Sequence, residues 1–266
     1  MAAPGGRVHC SRPSPSLAIG SAPRRPEITA PLLSARNLEL AEPPLGPLDL
    51  ALRPGELVLL AGPSGSGKSR LLRALADLDR PARGRVELEG QPAESFPAPK
   101  YRRSVGYLPA TPVLGTESLR ALLAKVRGLH HRAAASDPER ELAGLGLSGE
   151  VLGRPAQTLS TGEALRAALG LLLSGEPRVL LLDEPTGALD PGATELVEEA
   201  VLRRARSGTA VVWVTHDPAQ AGRLGDALYH LEGAALRGPE RERGRFASIM
   251  QRFETRAHKG EDRHDA

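Results

Sequence analysis

One eight-residue segment constrains the fold of this chain more than any other feature: it reads Gly62-Pro63-Ser64-Gly65-Ser66-Gly67-Lys68-Ser69. It matches the pattern G-x-x-x-x-G-K-[ST], follows an apolar run at residues 56–61 and precedes leucines at helical spacing. A glycine-rich loop between a strand and a helix turns backbone N–H groups towards phosphate oxygens, and the helix N-terminus adds positive charge. The loop therefore predicts phosphate binding, with Lys68 reaching the β- and γ-phosphates and the Ser69 hydroxyl on Mg²⁺.

Short apolar runs alternate with helical patterns along the rest of the chain. Besides residues 56–61, strands are predicted at residues 34–40, 48–52, 85–88, 105–108, 179–182 and 210–214. Helices are predicted after Gly67 and at residues 118–126, 137–145, 160–173 and 193–205. Fully apolar strands that alternate with helices indicate an α/β fold whose parallel sheet is covered on both faces.

Two acids follow the apolar strand predicted at residues 179–182. They are Asp183 and Glu184, and a parallel strand delivers such side chains to the carboxyl edge of the sheet, where α/β folds bind ligands. Asp183 is predicted to hold Mg²⁺ through water, and Glu184 to polarise the water that attacks the γ-phosphate. Alone, the same pattern also fits a buried strand that ends in solvated acids.

Two further segments give the chain a specific resemblance. One reads Leu159-Ser160-Thr161-Gly162-Glu163, and its Ser160 lies 23 residues before Asp183. The other reads Trp213-Val214-Thr215-His216-Asp217. Between them, Pro185-Thr186-Gly187-Ala188-Leu189-Asp190 follows the acidic pair. Together with the phosphate loop, these segments resemble the ATP-binding subunit of ABC transporters. The resemblance implies a P-loop NTPase fold, the ABC-type nucleotide-binding domain, with a helical subdomain inserted at about residues 115–157.

The resemblance also implies a composite ATP site that two protomers share. Ser160 and the Gly162 N–H contact the γ-phosphate bound by the other protomer, His216 contacts the γ-phosphate and the attacking water, and Asp190 links the two sites. We therefore expect a homodimer, or a dimer with a paralogue, in the ATP-bound state. ATP and Mg²⁺ are the expected ligands, and a separate transmembrane permease is the expected partner. The implied location is cytoplasmic, peripheral on the inner face of the cell membrane.

Several residues depart from the family pattern. The glutamine that ligates Mg²⁺ in the family is Ala110 here, and Glu39 or Leu40 stands where an aromatic residue usually stacks on adenine. Arg70 replaces a common threonine and is expected to pair with the α-phosphate. In the signature, Thr161 and Glu163 replace a glycine and a glutamine. Within the family, residues 101–105, 111–115 and 213–217 most resemble the bacterial iron-export ATPase subgroup.

Composition and the two ends of the chain complete the predictions. The single cysteine excludes a disulfide framework, no run of 18 apolar residues occurs, and a net charge of +3 gives no argument for nucleic acid. Residues 1–31 are expected to form a disordered tail, residues 32–237 the ATP-binding domain and residues 238–266 a charged tail. In that tail, a short amphipathic helix is predicted from Phe246, Ile249, Met250 and Phe253, either docked on its own domain or contacting a partner or membrane. His130-His131 is predicted to be a solvated pair.

Two other functions fit parts of the pattern. A soluble ABC-type ATPase acting on DNA or ribosomes usually has two such domains or a long coiled coil, and this chain has neither. A nucleotide-binding regulatory module with little turnover fits Ala110 and Leu40 but does not need the full hydrolytic set, which is Lys68, Asp183, Glu184 and His216. The sequence therefore favours an ATP-hydrolysing subunit that energises a separate permease.

Overall fold

The computed structural model describes residues 30–129, 137–241 and 250. Strands in these ranges are β1 (Leu33–Leu40), β2 (Leu45–Leu52), β3 (Leu57–Ala61), β4 (Arg83–Leu88), β5 (Gln91–Pro92), β6 (Val105–Leu108), β7 (Val179–Asp183), β8 (Ala210–Val214), β9 (Ala227–Glu232) and β10 (Ala235–Glu240). Helices there are α1 (Lys68–Leu75), α2 (Ala98–Ser104), α3 (Leu119–Leu129), α4 (Pro138–Gly144), α5 (Thr161–Ser174), α6 (Pro191–Arg206) and α7 (Pro218–Leu224). The α/β class predicted from the alternation of patterns is confirmed.

The larger sheet has the strand order β10-β9-β3-β8-β7-β6. Its strands from β9 to β6 are parallel, and β10 pairs antiparallel with β9. Every residue of β3, β7 and β8 is buried, because both faces of the sheet are covered. Successive residues enter opposite cores: Leu59 and Trp213 pack in one, and Leu60 and Val214 in the other. This two-sided burial is the reason why these strands are apolar throughout.

The parallel strands deliver the predicted site residues to one edge of this sheet. In the register, Leu60 of β3 and Asp183 of β7 both pair with Val214 of β8, which lies between them. The phosphate loop, the acidic pair and the His216 segment follow these three strands. They therefore leave the sheet side by side.

The smaller sheet is antiparallel and has the order β2-β1-β4-β5. Its buried leucines, such as Leu38 and Leu48, share a hydrophobic cluster with Leu71 and Leu72 of α1. The sheet also reaches the phosphate loop, because a Cβ built on Gly67 would lie 3.1 Å from Leu45 Cδ2. Strand β2 therefore forms one wall of that loop.

The segment between β6 and α5 has a small core of its own. Leu119, Leu123, Leu142, Leu147 and Leu152 pack there with Ala167 of α5. Backbone contacts join the two ends of the segment. The N–H of Ala156 donates to the carbonyl of Glu117 at 2.8 Å, and Ser118 and Pro155 form an isolated antiparallel β-bridge. These contacts fall close to the predicted limits of the inserted helical subdomain, residues 115–157. The histidine pair at residues 130 and 131 lies outside the described residues.

Near its C-terminus the chain differs from the sequence predictions. Strand β10 continues to Glu240, so the domain does not end at residue 237. Here α7, β9 and β10 were not predicted, and neither were β5 and α2 earlier in the chain. Of the predicted amphipathic tail helix only Met250 is described; it is helical and buried in the same cluster as Trp213. Residues 1–29 lie outside the described residues. No helix in the described ranges is long and apolar enough to cross a membrane.

Candidate active site

The phosphate loop joins β3 to α1 through backbone conformations that favour glycine. Gly62 has φ 153°, and a Cβ there would lie 2.3 Å from the carbonyl oxygen of Leu231, so a larger residue would displace the backbone. Gly67 has φ 99° and is the N-cap of α1. The first and last glycines of the motif are thus required by close approach and by a left-handed turn.

Lys68 is buried at the centre of this loop. Its Nζ donates to the carbonyls of Gly62 at 2.9 Å and Pro63 at 2.8 Å. Burial lowers the pKa of Lys68, and the charges of Glu184 and Asp183 oppose that shift. Nearby, the buried Ser66 hydroxyl has no hydrogen-bond partner among the described residues. A cation and an unpaired hydroxyl in a glycine-shaped cradle fit a phosphate group.

Asp183 ends β7 and is buried. The hydroxyl of Tyr107, on the neighbouring strand β6, donates to Asp183 Oδ2 at 3.4 Å. Burial, followed by the charge of Asp183, raises the pKa of Tyr107 to about 12, so the phenol stays protonated. Asp183 and Ser69 both offer the oxygen ligands that Mg²⁺ prefers. The donor chemistry at this edge therefore fits a magnesium ion.

Glu184 and His216 form a direct contact across the sheet edge. His216 Nε2 lies 2.9 Å from Glu184 Oε1. Glu184 has φ 50°, and its carbonyl accepts from the N–H of Gly187 at 3.2 Å, so it begins a tight turn. His216 lies between Thr215 and Asp217, and the Asp217 side chain caps α7. The structure thus brings together the two residues predicted to be catalytic.

The signature segment begins α5 with a capping box. The Ser160 hydroxyl accepts from the N–H of Glu163 at 3.2 Å, and the N–H of Ser160 donates to Glu163 Oε2 at 2.8 Å. This backbone contact, with help from Arg154, lowers the pKa of the Glu163 carboxyl. Glu163 therefore fulfils a capping role at the position where the family has glutamine. Ser160 itself is exposed, and Gly162 packs against Leu189, because a Cβ at Gly162 would lie 3.1 Å from Leu189 Cδ2.

The remaining predicted residues lie around this centre. Asp190 is exposed and caps α6 by accepting from the N–H of Ala193 at 3.0 Å. That N–H lowers the pKa of the Asp190 carboxyl. Ser64 and Gly65 form the exposed tip of the phosphate loop. The Arg70 guanidinium donates to the carbonyl of Pro43, in the turn after β1.

At the positions of the family's adenine-stacking aromatic and metal-ligating glutamine, the structure offers neither group. Leu40 is buried and pairs with Leu45, and Glu39 pairs with Arg83. Ala110 is exposed two residues beyond the end of β6, the strand next to the one that ends at Asp183.

Sequence reasoning missed two polar groups near the site. One is Tyr107, and the only signal for it in the sequence was a hydroxyl-bearing residue in an otherwise apolar predicted strand. The other group is Gln220, whose amide contacts Thr186 and Trp213. No motif includes Gln220, and only its position four residues after His216 could have drawn attention to it.

The comparisons with known proteins agree with this geometry. A family model described as "ABC transporter" matches residues 45–187. The chain belongs to the ABC transporter family. The hemin import ATP-binding protein HmuV of Nocardia farcinica is 38% identical over 238 residues, which cover 84% of this chain and 82% of that protein. The lipoprotein-releasing system ATP-binding protein LolD of Maricaulis maris is 38% identical over 203 residues, covering 72% and 87%.

Solved structures show the same fold. An ATP-binding subunit of an ABC transporter gives a TM-score of 0.74 at 24% identity and covers 85% of this chain and 99% of that chain. A dimeric bacterial ABC transporter cassette, MJ0796, gives a TM-score of 0.68 at 24% identity, with coverage of 79% and 98%. These structures confirm the predicted ABC ATPase fold, and the family match and the relatives confirm the assignment as an ATP-hydrolysing subunit of an ABC transporter. The names of the relatives differ in solute, and the resemblance to the iron-export subgroup stays a prediction.

Proposed function

We propose that two copies of this ABC ATPase, or one copy and a paralogue, bind ATP head to tail and that hydrolysis drives a separate permease. The observation that carries the proposal is the convergence of Lys68, Asp183, Glu184 and His216 at one sheet edge, with Ser160 exposed on a different segment. Such a division suits a site completed by a second copy. The relatives named as hemin-import and lipoprotein-releasing ATP-binding proteins support the link to transport.

Each residue has a role that its contacts support. Lys68 and the loop N–H groups hold the β- and γ-phosphates. Glu184 accepts a hydrogen bond from the attacking water, and His216 holds the Glu184 carboxylate while it contacts the γ-phosphate. Ser160 and the Gly162 N–H contact the γ-phosphate bound by the partner copy, because Ser160 lies at the exposed N-terminus of α5, where the helix dipole favours anions.

Further roles concern the metal and the edges of the site. Ser69 and Asp183 would hold Mg²⁺, which neutralises phosphate charge when it is bound. Asp190 links the two ATP sites, from its position beside the signature of the same copy. Arg70 pairs with the α-phosphate after its guanidinium leaves the Pro43 carbonyl.

The permease is proposed to dock in a groove beside the inserted helical segment. This groove, of about 420 Å³, is lined by residues 111–116 together with Ala156, Gln157, Leu159, Thr161 and Ala164. Val113 is 91% exposed at its rim, so its apolar side chain is accessible to a partner. An apolar segment of the permease would cover Val113 and place the chain at the inner face of the cell membrane. The groove also borders Thr161, so that docking there adjoins the signature.

The test is the variant Glu184→Gln. It keeps the shape of the side chain but removes the charge that polarises water, so we expect an ATP-bound dimer that does not turn over. Light scattering with ATP and Mg²⁺ at high protein concentration measures the dimer, and phosphate release measures turnover. Glu94→Gln, an exposed change on a 3₁₀ turn, is the matched control and should behave like the parent. A Glu184→Gln chain that stays monomeric, or hydrolyses ATP at the parent rate, contradicts the proposal.

A further inference from the structure

A buried amide connects the two segments that bear Glu184 and His216. Gln220, on α7, is 2% exposed. Its Nε2 donates to Thr186 Oγ1 at 3.1 Å and to Glu198 Oε1 at 2.8 Å, and its Oε1 accepts from Trp213 Nε1 at 3.2 Å. The indole N–H can only donate, so it fixes which end of the amide faces Thr186.

The charge at the far end of this network is paired. Glu198, on α6, is buried, and Arg223 donates to both of its carboxylate oxygens, at 3.1 and 2.6 Å. A two-bond pair of this kind holds the carboxylate in one orientation. Glu198 therefore anchors Gln220 to α6, and the hydrogen bonds of the amide are directed by groups that are themselves fixed.

The location of the amide matters because of what lies on either side of it. Thr186 comes two residues after Glu184, in the turn that Glu184 begins, and Trp213 comes three residues before His216. The side chains of Glu184 and His216 are 39% and 44% exposed, so packing alone does not fix their 2.9 Å contact. Their relative position depends on how the two segments are held, and Gln220 links these segments through the side chains of Thr186 and Trp213.

We propose that Gln220 is a positioning residue: its amide holds the Glu184 turn in register with the His216 strand end, and so sets the Glu184–His216 contact for hydrolysis. The inference rests on the proposed ATPase function. It assigns Gln220 and Thr186 an effect on turnover and none on nucleotide affinity, because the hydrogen bonds of the Gln220 amide run to Trp213, Thr186 and Glu198 and not to the phosphate loop.

The sharpest test compares two changes at Thr186. Thr186→Val keeps the shape but removes the hydroxyl that accepts from Gln220, whereas Thr186→Ser keeps the hydroxyl. We expect kcat to fall about tenfold in the valine variant, with KM for ATP unchanged, and to stay near the parent value in the serine variant. Gln220→Met should lower kcat at least as much, and adding Thr186→Val to it should lower kcat no further. Gln91→Met, at an exposed position on β5, is the control.

A second readout does not require turnover. Trp213 is the one tryptophan of the chain and is fully buried, so tryptophan fluorescence comes from one site, which is bonded to Gln220. Because the amide couples Trp213 to the Glu184 turn, we expect ATP with Mg²⁺ to change the emission of the parent and of Thr186→Ser. The change should be lost in Thr186→Val, although calorimetry shows the same ATP affinity.

These outcomes separate the two proposals. A parent chain that binds ATP but does not hydrolyse it overturns the proposed function and, with it, the effect of Gln220 on turnover. The Trp213 response of Thr186→Val against Thr186→Ser then still tests whether the amide couples the two segments. Equal kcat values in Thr186→Val and Thr186→Ser, or an emission change that survives in Thr186→Val, overturn the positioning role. A fall in ATP affinity that matches the fall in kcat overturns it as well, because that pattern indicates general loss of structure.

Discussion

Replacing Lys68 by methionine tests the phosphate-loop assignment most directly. An ammonium group has three donors, and Lys68 already uses two of them on the carbonyls of Gly62 and Pro63. One donor therefore remains for a phosphate oxygen. A hydrogen bond that involves a charged group contributes about 1.5–3 kcal/mol, so Lys68→Met should weaken ATP binding about 10- to 150-fold.

The same variant should remain folded. Methionine keeps the apolar stem of the side chain, and the lowered pKa of Lys68 shows that burial already disfavours the charged form in the folded chain. The loss of two hydrogen bonds and the relief of that burial act in opposite directions, so we expect a melting temperature close to that of the parent.

Titration calorimetry with ATP and Mg²⁺ gives the affinity, and a thermal melt followed by circular dichroism checks the fold. Lys100→Met, at an exposed position on α2, removes the same charge far along the chain from the loop and should bind ATP like the parent. If Lys68→Met binds ATP as tightly as Lys100→Met, the proposed phosphate contact does not exist.

Three further predictions concern the departures from the family pattern and the docking groove. Ala110→Gln supplies a missing oxygen ligand, so it should lower the Mg²⁺ concentration for half-maximal ATPase rate; an equal or higher requirement would refute this reasoning. Val113→Asp should reduce co-purification with a co-expressed multi-span permease, and undiminished capture would exclude the groove. Glu163→Ala removes half of the capping box and should lower the free energy of unfolding by about 1 kcal/mol, with a smaller effect for Glu163→Gln. Because the pKa of Glu163 is lowered in the fold, its stabilisation is present above the usual carboxyl pKa and lost on acidification; denaturant titrations at neutral and acid pH should show the gap between parent and Glu163→Gln closing.

The sequence predicted those parts of the fold that depend on burial at both faces of the sheet. Strands β3, β7 and β8 are apolar at every position, and the structure has each of them within a residue or two of the expected limits. Strand β10 was missed because Gly238 and Pro239 are typical of turns, whereas here an irregular pairing with β9 accommodates them. Helix α7 is short, and its signals, Asp217 as N-cap and Pro218 after it, were present but not used.

The candidate site likewise has residues that the sequence predicts and a contact that it does not. Lys68, Asp183, Glu184 and His216 were predicted because motifs fix their places at strand ends, and the structure brings Glu184 and His216 into contact. The contact of Tyr107 with Asp183 could not be predicted, because it depends on which strand neighbours β7 and on the direction of one side chain. The placement of β6 beside β7 is decided by tertiary packing, and no local pattern in the chain records it.

Helix α5 belongs to two cores at once. Leu165, Leu169 and Leu173 pack with the main sheet, whereas Ala167 packs with the inserted helical segment, and Thr161 and Ala164 border the groove. A force applied at the groove would therefore act on a helix that is packed on two sides and has Ser160 as its exposed N-cap. Because a helix transmits a displacement along its axis with little bending, we expect the groove, which faces a partner, and Ser160, which faces a second copy, to move together.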